Sequence, residues 1–448
     1  MAGGKADDHF GLQLEHYRFA SSNFFVVLSL CFSSMFCHGY MPKGSAHSVI
    51  SPVVKDKSGD ISDSANYRPI ALVTIFSKIL EHIIVSRVDK YLVDTHNQFG
   101  FKKHHGTLMP VLILKDIINF YISHGSNMHL AFIDVSKAFD RVRYDTLFIK
   151  LSKFIPGVTL RLIIVWYAGQ TAGILWDGIM SDVFPVCNGV RQGGVLSPLL
   201  FNVYIDKLSV LLNLTYAGCC LGRSLINHLL YADDIVLFAP SARGLQMLLD
   251  VCSSFALEHD IIFNNTKSQV MFVEAYEPFV INPRFMLSNM ALSYTSQYKY
   301  LGHLLTNDLR DDSDVLKQVR SLYGRANLLL RKFRKTGVQT KVMLFNAFCS
   351  PVYGCQLWCN SRKETFNRLR VAYNNALRLL LNVPPWSSAS DLFVKHGATS
   401  FHSLIRIQQY SLLRSLVISE NVIVKSFVES DRFLQSPLMS KWRTDLYI

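Results

Sequence analysis

Two apolar runs in this chain end in aspartate. Ala131-Phe-Ile leads into Asp134 and is followed by Val135-Ser-Lys-Ala-Phe139-Asp140. Leu229-Leu-Tyr231-Ala leads into Asp233-Asp234 before Ile235-Val-Leu-Phe238 resumes the apolar pattern. A carboxylate that terminates a buried strand is held at a rigid sheet edge. Several such groups brought together repel one another unless a divalent cation neutralises them. The pattern therefore implies a cofactor: Mg²⁺, with Mn²⁺ as its chemical substitute, as two ions roughly 3.5–4 Å apart. Ions so placed activate an attacking hydroxyl and stabilise a departing pyrophosphate, which is the chemistry of nucleotide addition. An Asp-Asp pair after an apolar run is also common at hairpin turns, so the surrounding segments must decide between the readings.

Between the two acidic stretches lies Gly189-Val-Arg-Gln192-Gly193-Gly194-Val-Leu-Ser197-Pro198. Paired glycines permit close approach of a backbone to a ligand. Ser197-Pro198 reads as a helix N-cap followed by proline at the first helical position, so a helix is expected to start there. Upstream stand Asn66-Tyr-Arg68-Pro-Ile-Ala-Leu72, then Ser77-Lys-Ile-Leu-Glu81, and Gln98-Phe-Gly100-Phe101-Lys102-Lys103. Downstream stand Phe263-Asn-Asn-Thr-Lys267-Ser and Tyr298-Lys-Tyr300-Leu-Gly302.

Taken in this order from Asn66 to Leu305, the segments resemble the reverse transcriptases, most closely those of non-LTR (LINE-type) retrotransposons. The resemblance implies an α+β right-hand polymerase with fingers, a palm built on an antiparallel sheet, and a helical thumb. It implies that Asp134, Asp233 and Asp234 are the metal-binding triad and that Lys267 protonates the leaving pyrophosphate. The residues alone also allow Lys267 to be a solvated turn lysine. Phe139 falls where the family keeps an aromatic that excludes a ribose 2′-hydroxyl. Without the motif it would read as a core phenylalanine on an amphipathic helix. Gln192 and Gly193 match the segment that packs on the template and the nascent base pair. Arg68 and Lys102, with Lys103, would contact the nucleotide triphosphate. Asp140 reads as a structural carboxylate rather than a ligand. One position departs from the pattern: the family's Gly-Phe-Arg is Gly100-Phe101-Lys102 here, which keeps the charge and loses the planar fork.

The charge balance suits a polyanionic partner, with 46 Lys+Arg against 33 Asp+Glu and a formal charge of +13. Its distribution is more telling. Between Ser313 and Phe345 the cations Lys317, Arg320, Arg325, Arg331, Lys332, Arg334, Lys335 and Lys341 face a single acid, Asp314. Val315, Val319, Leu322, Ala326, Leu329 and Leu330 recur at helical spacing, so Lys317, Arg320, Arg325, Arg331, Lys332 and Arg334 are expected to track phosphates from the face opposite a buried stripe. A merely solvated basic helix is the alternative.

A chain of 448 residues at 50% hydrophobic composition should hold roughly two to three domains. The expected plan is a lead-in segment over 1–60, fingers over 61–126, a palm over 127–305 with a helical insertion over 141–183, a thumb over 306–385 and a helical tail over 386–448. Ile70 to Val88 reads as one helical stripe. Hairpins are expected from Leu229–Tyr231 with Ile235–Phe238 and from Ile261–Asn264 with Gln269–Val273. Phe19 to Cys37, diluted by serines and lacking a basic flank, reads as a buried helix rather than a membrane span or signal peptide. The nine cysteines are scattered and odd in number, as expected of reduced intracellular thiols. Cys355 and Cys359 lack the second ligand pair of a zinc site.

The expected function is RNA-directed DNA polymerisation, with an RNA template, a DNA primer and dNTPs as partners. The resemblance further implies a truncated copy without its endonuclease domain, so that nicking would come from elsewhere, and a nuclear or cytoplasmic location left open. A different class of answer is a catalytically dead or domesticated remnant that only binds nucleic acid. An RNA-synthesising polymerase is disfavoured by Phe139.

Overall fold

The computed structural model describes residues 7–91, 95–221, 224–275 and 283–447. Contacts divide the chain into two compact units, each gathered from separate stretches of sequence. The first comprises Met1–Phe101, Val135–Leu211 and Val251–Phe263, and the second Lys102–Asp134, Leu212–Asp250 and Asn264–Ile448.

The first unit is built on a mixed sheet. His47–Val54 pairs antiparallel with Tyr67–Leu72 and parallel with Thr171–Trp176. The apolar stripe expected over Ile70–Val88 is therefore two elements. Ile70 and Leu72 belong to a strand, and the helix Ile75–Val88 begins only after Thr74, whose hydroxyl accepts from the Ser77 backbone N–H at 3.0 Å as an N-cap. The stretch after Asp140 is helical over Tyr144–Leu151 and Gly157–Ala168, with Pro156 at the break. It then turns to strand at Thr171 rather than staying helical to Val183. A long helix does begin at Ser197 and runs to Asn213.

The Phe19–Cys37 expectation needs correction. A helix spans Ser22–His38, but only Phe32, Met35 and Phe36 are buried, while Val26 and Leu30 are 59% and 65% exposed. Apolar side chains surround this helix. It packs on the Ile75–Val88 helix, with Phe32 against Phe76 at 4.8 Å and Arg87 over Phe36 at 4.2 Å, and on the Gly157–Ala168 helix, whose Arg161 donates to the Cys37 carbonyl at 2.6 Å.

The second unit holds a sheet around the buried strand Met128–Ile133, antiparallel except at its Ser293–Tyr294 edge, which pairs in parallel. Asp234–Ala239 pairs with it on one side and Gln269–Val273 on the other; His228–Tyr231 and Ser293–Tyr294 extend the edges. Successive apolar residues on Met128–Ile133 and Asp234–Ala239 suit strands covered on both faces. The Leu229–Phe238 hairpin forms as expected. The Ile261–Val273 hairpin does not: Ile262–Phe263 pairs instead with Val135–Ser136, and Gln269–Val273 with Met128–Ile133.

The helical part of this unit packs Asp312–Phe333 against Lys363–Leu381 through Val315, Leu322, Ala326, Leu369, Ala372 and Tyr373. Phe401, Leu404 and Ile405 join the same core, and Trp442, fully buried, donates to the Gln356 carbonyl at 2.9 Å. Residues beyond Pro385 are thus part of the core of this unit. Cys355 is buried there. No helix among the described residues is long and apolar enough to cross a membrane.

Candidate nucleotidyl-transfer site

Asp134 follows the last residue of the central strand. Ile133 pairs with Ile235, so the antiparallel register continued by one step sets Asp134 opposite Asp234. Directly paired positions of an antiparallel ladder hold their Cβ atoms about 5 Å apart. Asp233 sits in the tight turn between Tyr231 and Asp234, where Ala232 takes φ +58°, a left-handed conformation that L-residues with a Cβ seldom adopt. The hairpin thus delivers two consecutive carboxylates to the end of the sheet at which Asp134 stands.

That end is electrostatically loaded. Asp234 is exposed at the strand start, yet its packed surroundings, followed by the charges of Asp233 and Asp134, push it up to about 6. The Tyr298 ring stacks on Phe132 at 4.1 Å, and burial followed by the field of Asp234 and Asp134 pushes its hydroxyl up to about 12. A carboxylate raised by neighbouring carboxylates is what a divalent cation at that position would relieve. Among the described residues no three His, Cys, Asp or Glu side chains are placed closely enough to hold a metal ion as they stand. Even so, the donor chemistry is that of a hard divalent ion, since all three groups are carboxylates with no competing soft ligand.

Asp134 is pinned by its main chain. Its N–H donates to the Ser268 hydroxyl at 3.1 Å, and its carbonyl accepts from the Asn264 N–H at 2.8 Å. Both partners belong to one tight turn, closed by the Ser268 N–H donating to the Asn264 carbonyl at 2.8 Å. Lys267, exposed, rides on that turn. Sequence reasoning singled out Lys267 and missed Asn264 and Ser268. Their signal is present in retrospect: Asn and Ser flanking a lysine after a strand is turn chemistry.

The remaining candidates in the first unit form their own constellation. Phe139, in a short helical turn, stacks on Phe201 at 4.8 Å with ring planes 11° apart and meets Phe101 edge-on at 6.1 Å. It is half-buried, neither a closed core residue nor a free one. Gln192 donates to Asp140 at 3.0 Å, and its carbonyl accepts from the Ala71 N–H at 2.8 Å, so the glycine loop is docked on the strand that carries Arg68. Gly193 has φ +103°, which requires glycine. Arg68 is exposed on its strand, and Lys102 is half-buried in the second unit.

The basic helix Asp312–Phe333 sorts its cations into two kinds. Arg320, Arg331, Lys332 and, just beyond its end, Arg334 are exposed. Lys317 and Arg325 do not belong with them. Lys317 donates to Asp314 and to the Gly302 carbonyl at 2.6 Å, and Arg325 donates to the Pro351 carbonyl at 2.9 Å. Both lie close enough to the buried stripe to find internal acceptors before they reach solvent.

Residues 54–305 match the family described as "Reverse transcriptase (RNA-dependent DNA polymerase)". The RNA-directed DNA polymerase from mobile element jockey of Drosophila funebris is 27% identical over 424 residues, covering 88% of this chain and 45% of that protein. The probable RNA-directed DNA polymerase from transposon BS of Drosophila melanogaster is 27% identical, covering 85% of this chain and 43% of that protein. The chain therefore spans less than half the length of these relatives. Apo telomerase from Candida tropicalis, at 11% identity and a TM-score of 0.46, covers 94% of this chain and 72% of that one, a likeness too distant to build on.

Proposed function

This chain belongs to the reverse transcriptase family, and on that premise we propose that it is an RNA-directed DNA polymerase of the non-LTR retrotransposon type. It would add deoxynucleotides to the 3′-hydroxyl of a DNA primer paired with an RNA template. The observation that carries the reading is that the Ile133–Ile235 pair and the Tyr231–Asp234 turn bring Asp134, Asp233 and Asp234 to one end of the sheet. Asp134, Asp233 and Asp234 would hold Mg²⁺, or Mn²⁺ in its place, once the carboxylates draw together. Two such ions, when bound, supply Lewis acidity for the attacking and leaving oxygens.

The chain's own residues do the rest. The Asn264–Ser268 turn fixes the main chain of Asp134, so the carboxylate is presented from a rigid strand end. Lys267, on the same turn, is the proton donor to pyrophosphate. Arg68 and Lys102 neutralise the triphosphate. Phe139 excludes the ribose 2′-hydroxyl, while Gln192 and Gly193 bear on the template base pair. In this reading 61–126 are fingers, 127–305 palm and 306–385 thumb, and Arg320, Arg331, Lys332 and Arg334 grip the duplex backbone.

Primer extension on an oligo-primed RNA template with Mg²⁺ and dNTPs tests the reading. The parent is expected to extend, and the Asp233→Asn, Asp234→Asn double variant to bind template without extending it. A folded parent that binds RNA and extends nothing would leave a nucleic-acid-binding remnant.

A further inference from the structure

The glycine loop is held from behind by a buried ion pair that touches none of the expected substrates. Glu81, on the Ile75–Val88 helix, is 2% exposed, and Arg191, beside Gln192, is 7% exposed. Their Oε1 and Nη1 atoms lie 3.9 Å apart. The other Glu81 oxygen accepts from the backbone N–H groups of Val195 and Leu196, the latter at 3.3 Å. Arg191 donates to the Gln170 side chain at 3.2 Å and to the Ala46 carbonyl at 3.0 Å, with its guanidinium 5.2 Å from the Trp166 ring centre.

The pair thus grips the loop on both sides of Gln192-Gly193-Gly194. A Cβ at Gly194 would stand 2.8 Å from the Ser197 hydroxyl, which would have to turn away, and 3.4 Å from Glu81 Oε1. Burying such a pair gains little net stability, since desolvation offsets the Coulomb attraction. Its effect is to fix one loop geometry.

That geometry is transmitted to Phe139. The Val190 N–H donates to the Phe139 carbonyl at 2.7 Å, and the Gly189 N–H donates to the Val142 carbonyl at 2.8 Å. Gly189, at φ +84°, lies so close to Asp140 that a Cβ would meet its Cα and carbonyl oxygen at 2.9 Å. The segment bearing the aromatic gate is therefore bonded to the same loop that Glu81 and Arg191 hold. Resting on the polymerase reading, we infer that Glu81 and Arg191 are positioning residues for the sugar gate: they hold the loop against Phe139 so that its ring excludes a ribose.

Single-nucleotide primer extension measures kcat/KM for a dNTP and for the matching NTP on one template. The parent, Glu81→Ala, Arg191→Ala, Glu81→Gln and Arg191→Lys are compared. A smaller folded fraction lowers both rates alike and cancels in their ratio. The alanine variants are expected to raise the NTP-to-dNTP ratio about tenfold, in keeping with the cost of slight misplacement at a reacting centre. Glu81→Gln and Arg191→Lys, which keep some of the donors and acceptors, are expected to raise it less. Should the alanine variants fail to fold, the conservative pair carries the measurement. An unchanged ratio in an active parent's folded variants overturns the inference while leaving the polymerase intact. A parent that incorporates neither nucleotide overturns the polymerase reading, and the inference with it.

Discussion

At the end of the central sheet Asp234 lies one step beyond the Ile235–Ile133 pair, and its packed surroundings, then the charges of Asp233 and Asp134, push it up to about 6. In the helical part of the same unit Asp314 is treated in the opposite way. Burial alone would raise it too. Instead His303 Nδ1 lies 3.0 Å away, Lys317 donates to it, and the Trp358 indole donates at 2.9 Å, so it is held well below the usual carboxylate range. Asp311 beside it accepts from Lys115 and from the backbone N–H groups of Cys359 and Asn360. One group of aspartates is given its counter-charges by the fold; the other is given more negative charge. The lesson is that a carboxylate's neighbours set its cost: satisfied ones build the molecule, and crowded ones are those a bound cation would relieve.

The largest effect that tests this contrast is on activity. Neutralising Asp233 and Asp234 to Asn is expected to reduce primer extension by at least about 10³-fold, the scale of losing a key electrostatic contact. Thermal stability should stay level or rise, because like-charge repulsion is removed. A collapse of the fold would put Asp234 in the same class as Asp314.

Asp314→Ala should do the reverse. It removes one partner from a buried charged network, which costs about 3–5 kcal/mol, read from chemical denaturation. The pH sign follows from the depressed affinity for protons. The folded carboxylate stays charged below the pH at which the unfolded one protonates. Its stabilisation is therefore complete at neutral pH and is lost as pH falls below about 4. The acid limb of the parent's stability profile should flatten in Asp314→Ala.

Among cations the same sorting predicts a smaller split. Each of Arg320, Arg331 and Lys332 changed to Ala should lower the salt dependence of RNA–DNA duplex binding by about one unit of slope, measured by fluorescence anisotropy across KCl concentrations. Lys317→Met should leave that slope unchanged and lower stability, since its ammonium is occupied by Asp314 and Gly302. The smallest effect is at Gly324, exposed in the middle of the same helix with open space where a Cβ would go. Gly324→Ala should stabilise by about 0.5–1 kcal/mol without altering duplex binding.

What could be read from residues alone was whatever is local. The Asp233-Asp234 turn, its hairpin and the helix from Ser197 are each specified within a few neighbours, and so were legible. Leu72 was misassigned because Ile70 and Leu72 satisfy a two-residue period while Ile75, Ile79 and Ile83 satisfy a helical one, and Thr74 is the only punctuation between them. The pairing of Ile262–Phe263 with Val135–Ser136 is invisible to any local rule. Glu81 and Arg191 were hidden for a related reason. A lone Glu on an amphipathic helix and an Arg in a loop suggest solvent until the fold buries them together. Lys317 and Arg325 fell to the limits of helical periodicity, which gives a face but not the reach of a long side chain.

The main chain of Asp134 is tied at both its N–H and its carbonyl to a turn that ends at Ser268. The strand before it is flanked by strands that come much later in the sequence. Pairings of this kind are slow to form because a long stretch of chain must close before any contact repays it. For a protein made from its N-terminus, the main chain at 134 reaches its anchored position only after the chain past Ser268 has left the ribosome. The anchorage thus arrives late and all at once, and a prematurely terminated product ending before Asn264 would carry Asp134, Asp233 and Asp234 without the turn that holds Asp134.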